Sequence, residues 1–118
     1  MKKLIVFLIA LSFLSCEDSK PFTNTCNASD PITQLPWLQS IKTSLEQSTT
    51  AGQKEIIQYF YKNQTVYLVN PCKGCADNLI TVYNCTGEKV CEFGGVAGLN
   101  TCPDFETTKT NEIILWTK

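Results

Sequence analysis

The chain has 118 residues, ten of them Lys and eleven Asp or Glu, with no His and no Arg. That length leaves room for one domain. From Cys16 onward eight Lys face eleven carboxylates, a formal net charge of −3, which argues against a nucleic-acid partner, because such binding rests on clustered basic side chains. Without His there is no imidazole base for a Ser or Cys nucleophile and no His-ligated metal.

The opening MKKLIVFLIALSFLSC sets Lys2 and Lys3 before the apolar run Leu4 to Leu14, then small Ser15 and Cys16. This is the layout of an export leader, and the run falls short of the roughly 20 apolar residues a membrane span needs. Ala10-Leu11-Ser12 offers an ordinary cleavage site, whereas Phe13-Leu14-Ser15-Cys16 fits a lipoprotein box. Cysteine arithmetic favours the second: seven is odd, and setting Cys16 aside as the acylated residue leaves an even six, Cys26, Cys72, Cys75, Cys85, Cys91 and Cys102. The expectation is a signal peptide over 1–15 and a mature chain anchored through Cys16. That places it at the outer membrane, on the periplasmic or cell-surface face. Glu17-Asp18 directly after the anchor resembles a surface-export signal of some Bacteroidota lipoproteins and reads equally as a solvated tether.

Residues 16–33 are polar, with Pro21 and Pro31, and read as a tether; 34–118 is then a small disulfide-braced domain. Leu35, Trp37, Leu38, Ile41 and Leu45 fall at helical spacing, which predicts a helix over about 35–47 with Pro36 in its first turn. EIIQYFYKNQTVYLVN predicts a hairpin turning at Asn63-Gln64. That turn pairs Tyr61 with Val66 and Tyr59 with Leu68 on the face expected to meet the helix, and leaves Phe60 and Tyr67 on the other. NLITVYNCTGEKVCEF predicts a second hairpin turning at Thr86-Gly87, GGVAGLNTCPDF a Gly-rich loop, and EIILW a final strand. The fold class expected is α+β: one helix packed on a small antiparallel sheet of four to five strands, braced by disulfides.

Three chemistries compete for the cysteines. An exported small domain normally pairs them as disulfides, and six allow fifteen connectivities; Cys85 and Cys91 flank one hairpin. Zinc would use Cys72, Cys75, Cys85 and Cys91, but only the first pair has the two-residue gap of a zinc knuckle. A redox pair would use Cys72 and Cys75, but a strand-like segment follows where an activating helix N-terminus is wanted. Asp77, Glu88, Glu92 and Asp104 read as solvated faces, since no calcium-loop pattern is present. Gly94, Gly95 and Gly98 lack the Lys-Ser/Thr of a phosphate loop. No cofactor, no metal and no catalytic residue is expected. The surface most suited to a protein or glycan partner is Phe60, Tyr67, Gly94, Gly95, Asp104 and Phe105. The leading expectation is a non-enzymatic envelope binding module. Its rivals are a small hydrolase inhibitor presenting the 94–103 loop and a thiol oxidoreductase using Cys72 and Cys75.

The order LPWLQSI, YFYKNQTVYLVNPC, ITVYNCTGEKVCEFGGVAGLNTCPDF and IILW resembles a family of small Bacteroidota lipoproteins and secreted proteins with a domain of unknown function. The likeness spans about 34–116, and its most specific pieces are the turn into Cys91, the glycines at 94, 95 and 98, and Cys102-Pro103-Asp104-Phe105. It implies an exported, cysteine-containing α+β domain and brings no activity, cofactor or catalytic residue. Cys26 and Cys85 look like departures from the shared cysteine set; as an added pair they would pin the tether to the second hairpin.

Overall fold

The computed structural model describes residues 24–118; the leader, Cys16 and the tether up to residue 23 lie outside the described residues. Among these, strands dominate: β1 (Gln53–Tyr61), β2 (Gln64–Lys73), β3 (Leu79–Tyr83), β4 (Lys89–Gly94), β5 (Leu99–Asn100) and β6 (Thr110–Thr117). The helices are α1 (Pro31–Gln34), α2 (Pro36–Gln47) and α3 (Phe105–Thr108). All strand pairs are antiparallel and form one six-stranded sheet in the order β5-β4-β3-β2-β1-β6. The expected α+β class with four to five strands is therefore corrected to a mostly β fold. The physical reason lies in two segments: the Gly-rich loop folds back as the β4–β5 hairpin, and the second sheet face is closed by a disulfide-tied loop ending in α3 instead of by a helix layer.

β1 and β2 are interior strands covered on both faces, so their burial is nearly continuous. One face carries Ile57, Tyr59, Tyr61, Val66, Leu68 and Val82 and packs on Phe105 and the Cys91–Cys102 bridge. The other carries Ile56, Tyr67 and Val69 and packs on Leu38 and Leu45 of α2, with Trp37, Ile41, Tyr83 and Trp116 at its margin. The helix thus lies on the Tyr67 face, opposite to the expectation. Alternation sorts β-residues into two faces but carries no information about which face receives the helix. Here Trp37 selects it, meeting Tyr67 edge-on at 5.8 Å and Tyr83 at 5.5 Å.

The first hairpin also turns one residue earlier than expected. Lys62 and Asn63 form the turn, with φ of 49° and 62°, the two left-handed residues that a two-residue type I′ turn requires. Tyr61 therefore pairs with Gln64 and Tyr59 with Val66. The Thr86-Gly87 turn holds as expected. Asn84 organises it, its Oδ1 accepting from the backbone N–H groups of Thr86 and Glu88, each at 3.0 Å. Gly87 has φ +84° and lies so close to Trp37 that a Cβ there would stand 2.8 Å from the indole ring.

Residues 24–33, expected as tether, are built into the domain. Ala28 and Ile32 are buried, and Thr25 exchanges two hydrogen bonds with Thr65, 2.9 and 2.8 Å long. Cys26 is bonded to Cys85, and the Trp37 indole N–H donates to the Cys85 carbonyl at 2.9 Å. The chain therefore enters the domain at the end of the sheet that carries the 62–63 and 84–88 turns.

Candidate functional site

The opposite end of the sheet, some seven residues or about 25 Å further along β2 at ~3.3 Å per residue, holds an open groove of about 420 Å³. Its lining is Ser48, Thr50, Pro71, Cys72, Cys75, Asp77, Asn78 and Leu79. One wall is the connection from α2 to β1, the other the end of β2 and its turn into β3. Pro71 is tolerated in this central strand because it falls where the β1–β2 register shifts, between the Glu55–Asn70 and Gln53–Lys73 pairs, so no regular ladder bond is lost.

The Cys72–Cys75 disulfide joins these two walls by contact. Both sulfurs approach the Ala51 carbonyl oxygen, at 2.9 and 3.7 Å; neither carries a proton in the disulfide, so these are contacts and not hydrogen bonds. A Cβ on Gly52 would stand 2.5 Å from the Cys72 sulfur, so only glycine lets the backbone lie this close. Buried Lys54 ties the same wall down, its ammonium donating to the Thr50 carbonyl at 2.8 Å. Behind the groove Asn78 donates to the Asn70 side-chain oxygen at 2.5 Å, and Asn70 donates to Glu55 at 3.2 Å. Lys73 faces that buried carboxylate at 3.8 Å. The Asn78 Oδ1 is buried without a partner, while its backbone oxygen accepts from Gly95 N–H at 2.9 Å. Asn78 therefore couples the groove to the β4–β5 turn.

That turn adds an apolar rim. Leu79 pairs with Gly94, and Gly94 with Leu99, so the two leucines share a face with only a glycine between them. Leu79 and Leu99 are 39% and 41% exposed, and Val96 at the tip is 86% exposed. No charged residue occurs from Phe93 to Cys102. Isolated exposed apolar residues are ordinary; here three lie on one turn and its neighbouring strand end, beside the groove.

The residues expected to form a binding surface do not come together. Tyr67 is fully buried under α2, and Phe105 is fully buried on the other face, 5.0 Å from the Tyr61 ring and 5.6 Å from that of Tyr59. Phe60 is half-buried on the helix side of β1, and Gly94 and Gly95 lie at the far turn. Asp104 accepts from the Tyr61 hydroxyl at 2.7 Å; that hydrogen bond holds its carboxyl below the usual carboxylate range. Burial first, and the bond to Asp104 second, push Tyr61 up, and burial with the Glu112 hydrogen bond does the same to Tyr59. Lys109 lies over the Tyr59 ring at 4.6 Å and pairs with Glu106 at 2.8 Å. These charges satisfy one another, and the cluster is a structural brace. Ser48, Thr50 and Leu79 have no counterpart among the residues singled out from the sequence, whereas Val96 and Leu99 lie in the 94–103 loop that the sequence already offers as a contact element, within a stretch free of charge from Phe93 to Cys102.

The cysteines decide between the metal and disulfide readings. Cys26–Cys85, Cys72–Cys75 and Cys91–Cys102 are bonded, so the four sulfurs of the zinc reading belong to three different bridges. Among the described residues, no group of three or more Cys, His, Asp or Glu is placed to hold a metal ion, and no helix is long and apolar enough to cross a membrane.

No curated protein and no solved structure matches the chain. The model of one family, described as a domain of unknown function (DUF6970), matches residues 42–118, from the middle of α2 through β6. Both walls of the groove, the Gly-rich turn and five of the six bonded cysteines that follow Cys16 fall in the matched region, whereas Cys26 precedes it. The chain belongs to the DUF6970 family.

Proposed function

We propose that the chain is an exported cell-envelope protein, lipid-anchored through Cys16 like the Bacteroidota lipoproteins it resembles, that binds a protein or glycan with the groove end of its sheet. The observation that carries the reading is the pairing of all six later cysteines with one another, which leaves Cys16 as the odd one, inside a lipoprotein box. A diacylglyceryl thioether with an N-acyl chain buries several tens of methylenes at about 0.8 kcal/mol each, which makes attachment effectively permanent. The outer membrane, on its periplasmic or cell-surface side, is the proposed location.

The Cys26–Cys85 bridge supports a polarity for the anchored molecule. It fixes chain entry at one end of the sheet, and the groove with Leu79, Val96 and Leu99 lies at the other. A partner then approaches from the side away from the membrane. The role is non-catalytic: an uncharged apolar rim and a groove with Asp77 as its one charged lining residue suit contact more than acid–base chemistry.

In-envelope crosslinking from a photoreactive residue at position 96 tests this. The expected result is a discrete adduct that disappears when Leu79 and Leu99 are both changed to Lys and persists with a surface change at Lys42, which is on α2. Crosslinking no different between the two controls would overturn the reading.

The inhibitor reading has one observation in its favour, the Cys91–Cys102 closure beneath the exposed Val96 tip. Its geometry is less suited. Gly98 N–H bonds back to the Gly95 carbonyl at 3.2 Å, a tight turn, whereas protease clefts take extended segments. Inhibition assays against a hydrolase panel would reveal it.

A further inference from the structure

The three disulfides differ in what surrounds them. Cys91 and Cys102 are both buried, at 3% and 5% exposure, and Cys26 and Cys85 are half-buried. In the third, Cys72 is buried at 6% while Cys75 is exposed at the groove rim. This bridge also closes the shortest loop, a separation of 3 residues against 11 and 59, so it restrains the unfolded chain least. A bridge that contributes least to global stability, yet lies against both walls of the groove, has a local role to explain.

We propose that Cys72–Cys75 is an exchangeable disulfide, and that its reduction by a dithiol donor loosens the 48–54 wall and changes the shape of the groove. The structural part stands without any partner; only its consequence for affinity rests on reading the groove as a binding site.

The step balances as ordinary thiol–disulfide exchange. One thiolate of the donor attacks the exposed Cys75 sulfur. A donor–Cys75 bond forms as the Cys72–Cys75 bond breaks, and Cys72 leaves and takes a proton. The donor's second thiol then displaces Cys75 and closes the donor's own disulfide. Two electrons and two protons pass from donor to protein.

The direction of use follows from what faces Cys72. Its sulfur lies 2.9 Å from the Ala51 carbonyl oxygen, an arrangement that opposes a thiolate and accepts the proton of a thiol. Cys72 lies in the last residues of β2 and the element after Cys75 is the strand β3, so no helix N-terminus favours the thiolate either. The reduced pair is thus two thiols, with Cys72 donating to Ala51, and the geometry suits a bridge that is acted upon more than a catalyst that attacks others. The oxidoreductase alternative would need the opposite environment.

The test is graded reduction of the mature domain with dithiothreitol, alkylation mapping at each step, and amide hydrogen exchange on the partly reduced form. The expected order is Cys72 and Cys75 first, at least about tenfold faster than Cys91 and Cys102, because access of the donor sets the rate. Exchange at amides 51–54 and 73–79 should then rise about tenfold or more while β1–β2 amides from 57 to 68 stay protected, as local opening predicts. The Cys72→Ala/Cys75→Ala variant should show the same exchange pattern without reductant. Simultaneous reduction of all three bridges, or unchanged exchange at 51–54 in the selectively reduced protein, would overturn the proposal. Neither readout involves a partner, so failure of the binding reading leaves this result intact and the reverse holds too.

Discussion

Replacing Cys26 and Cys85 together with alanine removes the bridge that closes the longest loop in the domain, 59 residues apart in sequence. Loop-closure entropy assigns such a bridge about 4 kcal/mol, against about 3 for the Cys91–Cys102 separation of 11 and about 2 for the Cys72–Cys75 separation of 3. The native side of the cycle points the same way. The Cys26–Cys85 bond holds the Thr25–Thr65 pair and the Trp37–Cys85 hydrogen bond in place, so its loss frays residues 24–34 as well. For a domain of this size a loss of about 4 kcal/mol lowers Tm by roughly 15–30 °C. Equilibrium urea unfolding of the three double-alanine variants, with m-values compared to expose changes in the unfolded state, should rank them 26/85, 91/102, 72/75 in falling cost. A 72/75 variant as damaged as the 26/85 variant would refute the reasoning.

Phe105→Ala empties the centre of the face opposite α2, where the ring is fully buried between Tyr59, Tyr61 and Phe93; chemical denaturation should show a loss of about 3–5 kcal/mol. Gly87→Ala combines a left-handed backbone with a Cβ 2.8 Å from the Trp37 ring and should lose about 1–3 kcal/mol, with a change in tryptophan emission that a strain effect confined to the backbone would not give. The raised tyrosines stabilise the fold while neutral. Tyr59 and Tyr61 ionise at lower pH in the unfolded chain than in the folded one, so stability is full below about pH 10 and falls as pH rises beyond it. Asp104 has the opposite sign: its carboxyl is held low by Tyr61, so its contribution is present above about pH 4 and is lost as pH falls through its native value. Urea midpoints across pH 7 to 11.5 should drop on the alkaline side, and by less in Tyr59→Phe; a flat profile would contradict the burial of these hydroxyls.

What was legible in the sequence is what is local. Apolar spacing from Leu35 to Leu45 marks α2 within a residue of its observed start, and β-rich runs around turn residues mark both hairpins and the final strand. The face partition of β1 and β2 was legible too, because alternation fixes it whichever way the sheet is covered. The rest depends on contacts distant in sequence. Nothing near Tyr67 says that Trp37 will cover it. Nothing near Phe105 says that a four-residue helix and a disulfide will carry it into the core as a substitute for a second layer. The turn differs by one residue from the expected one because Asn63 suits either position of a two-residue turn, and nothing local says that Lys62 shares its left-handed conformation. The groove is not legible locally because its walls, 48–52 and 71–79, are adjacent only through the β1–β2 pairing, and most of its side chains are of the small and polar kind that loops carry everywhere.

The proposed anchoring and the bonded cysteines meet in one measurement: intact mass of the protein purified from its own membranes, unreduced, with and without alkylation, followed by non-reduced peptide mapping. The prediction is a diacylglyceryl and N-acyl adduct at Cys16, no free thiol, and three linked peptide pairs that join Cys26 to Cys85, Cys72 to Cys75 and Cys91 to Cys102. A chain cleaved ahead of Cys16 without lipid, or Cys16 found in a disulfide with any of the six, would contradict it.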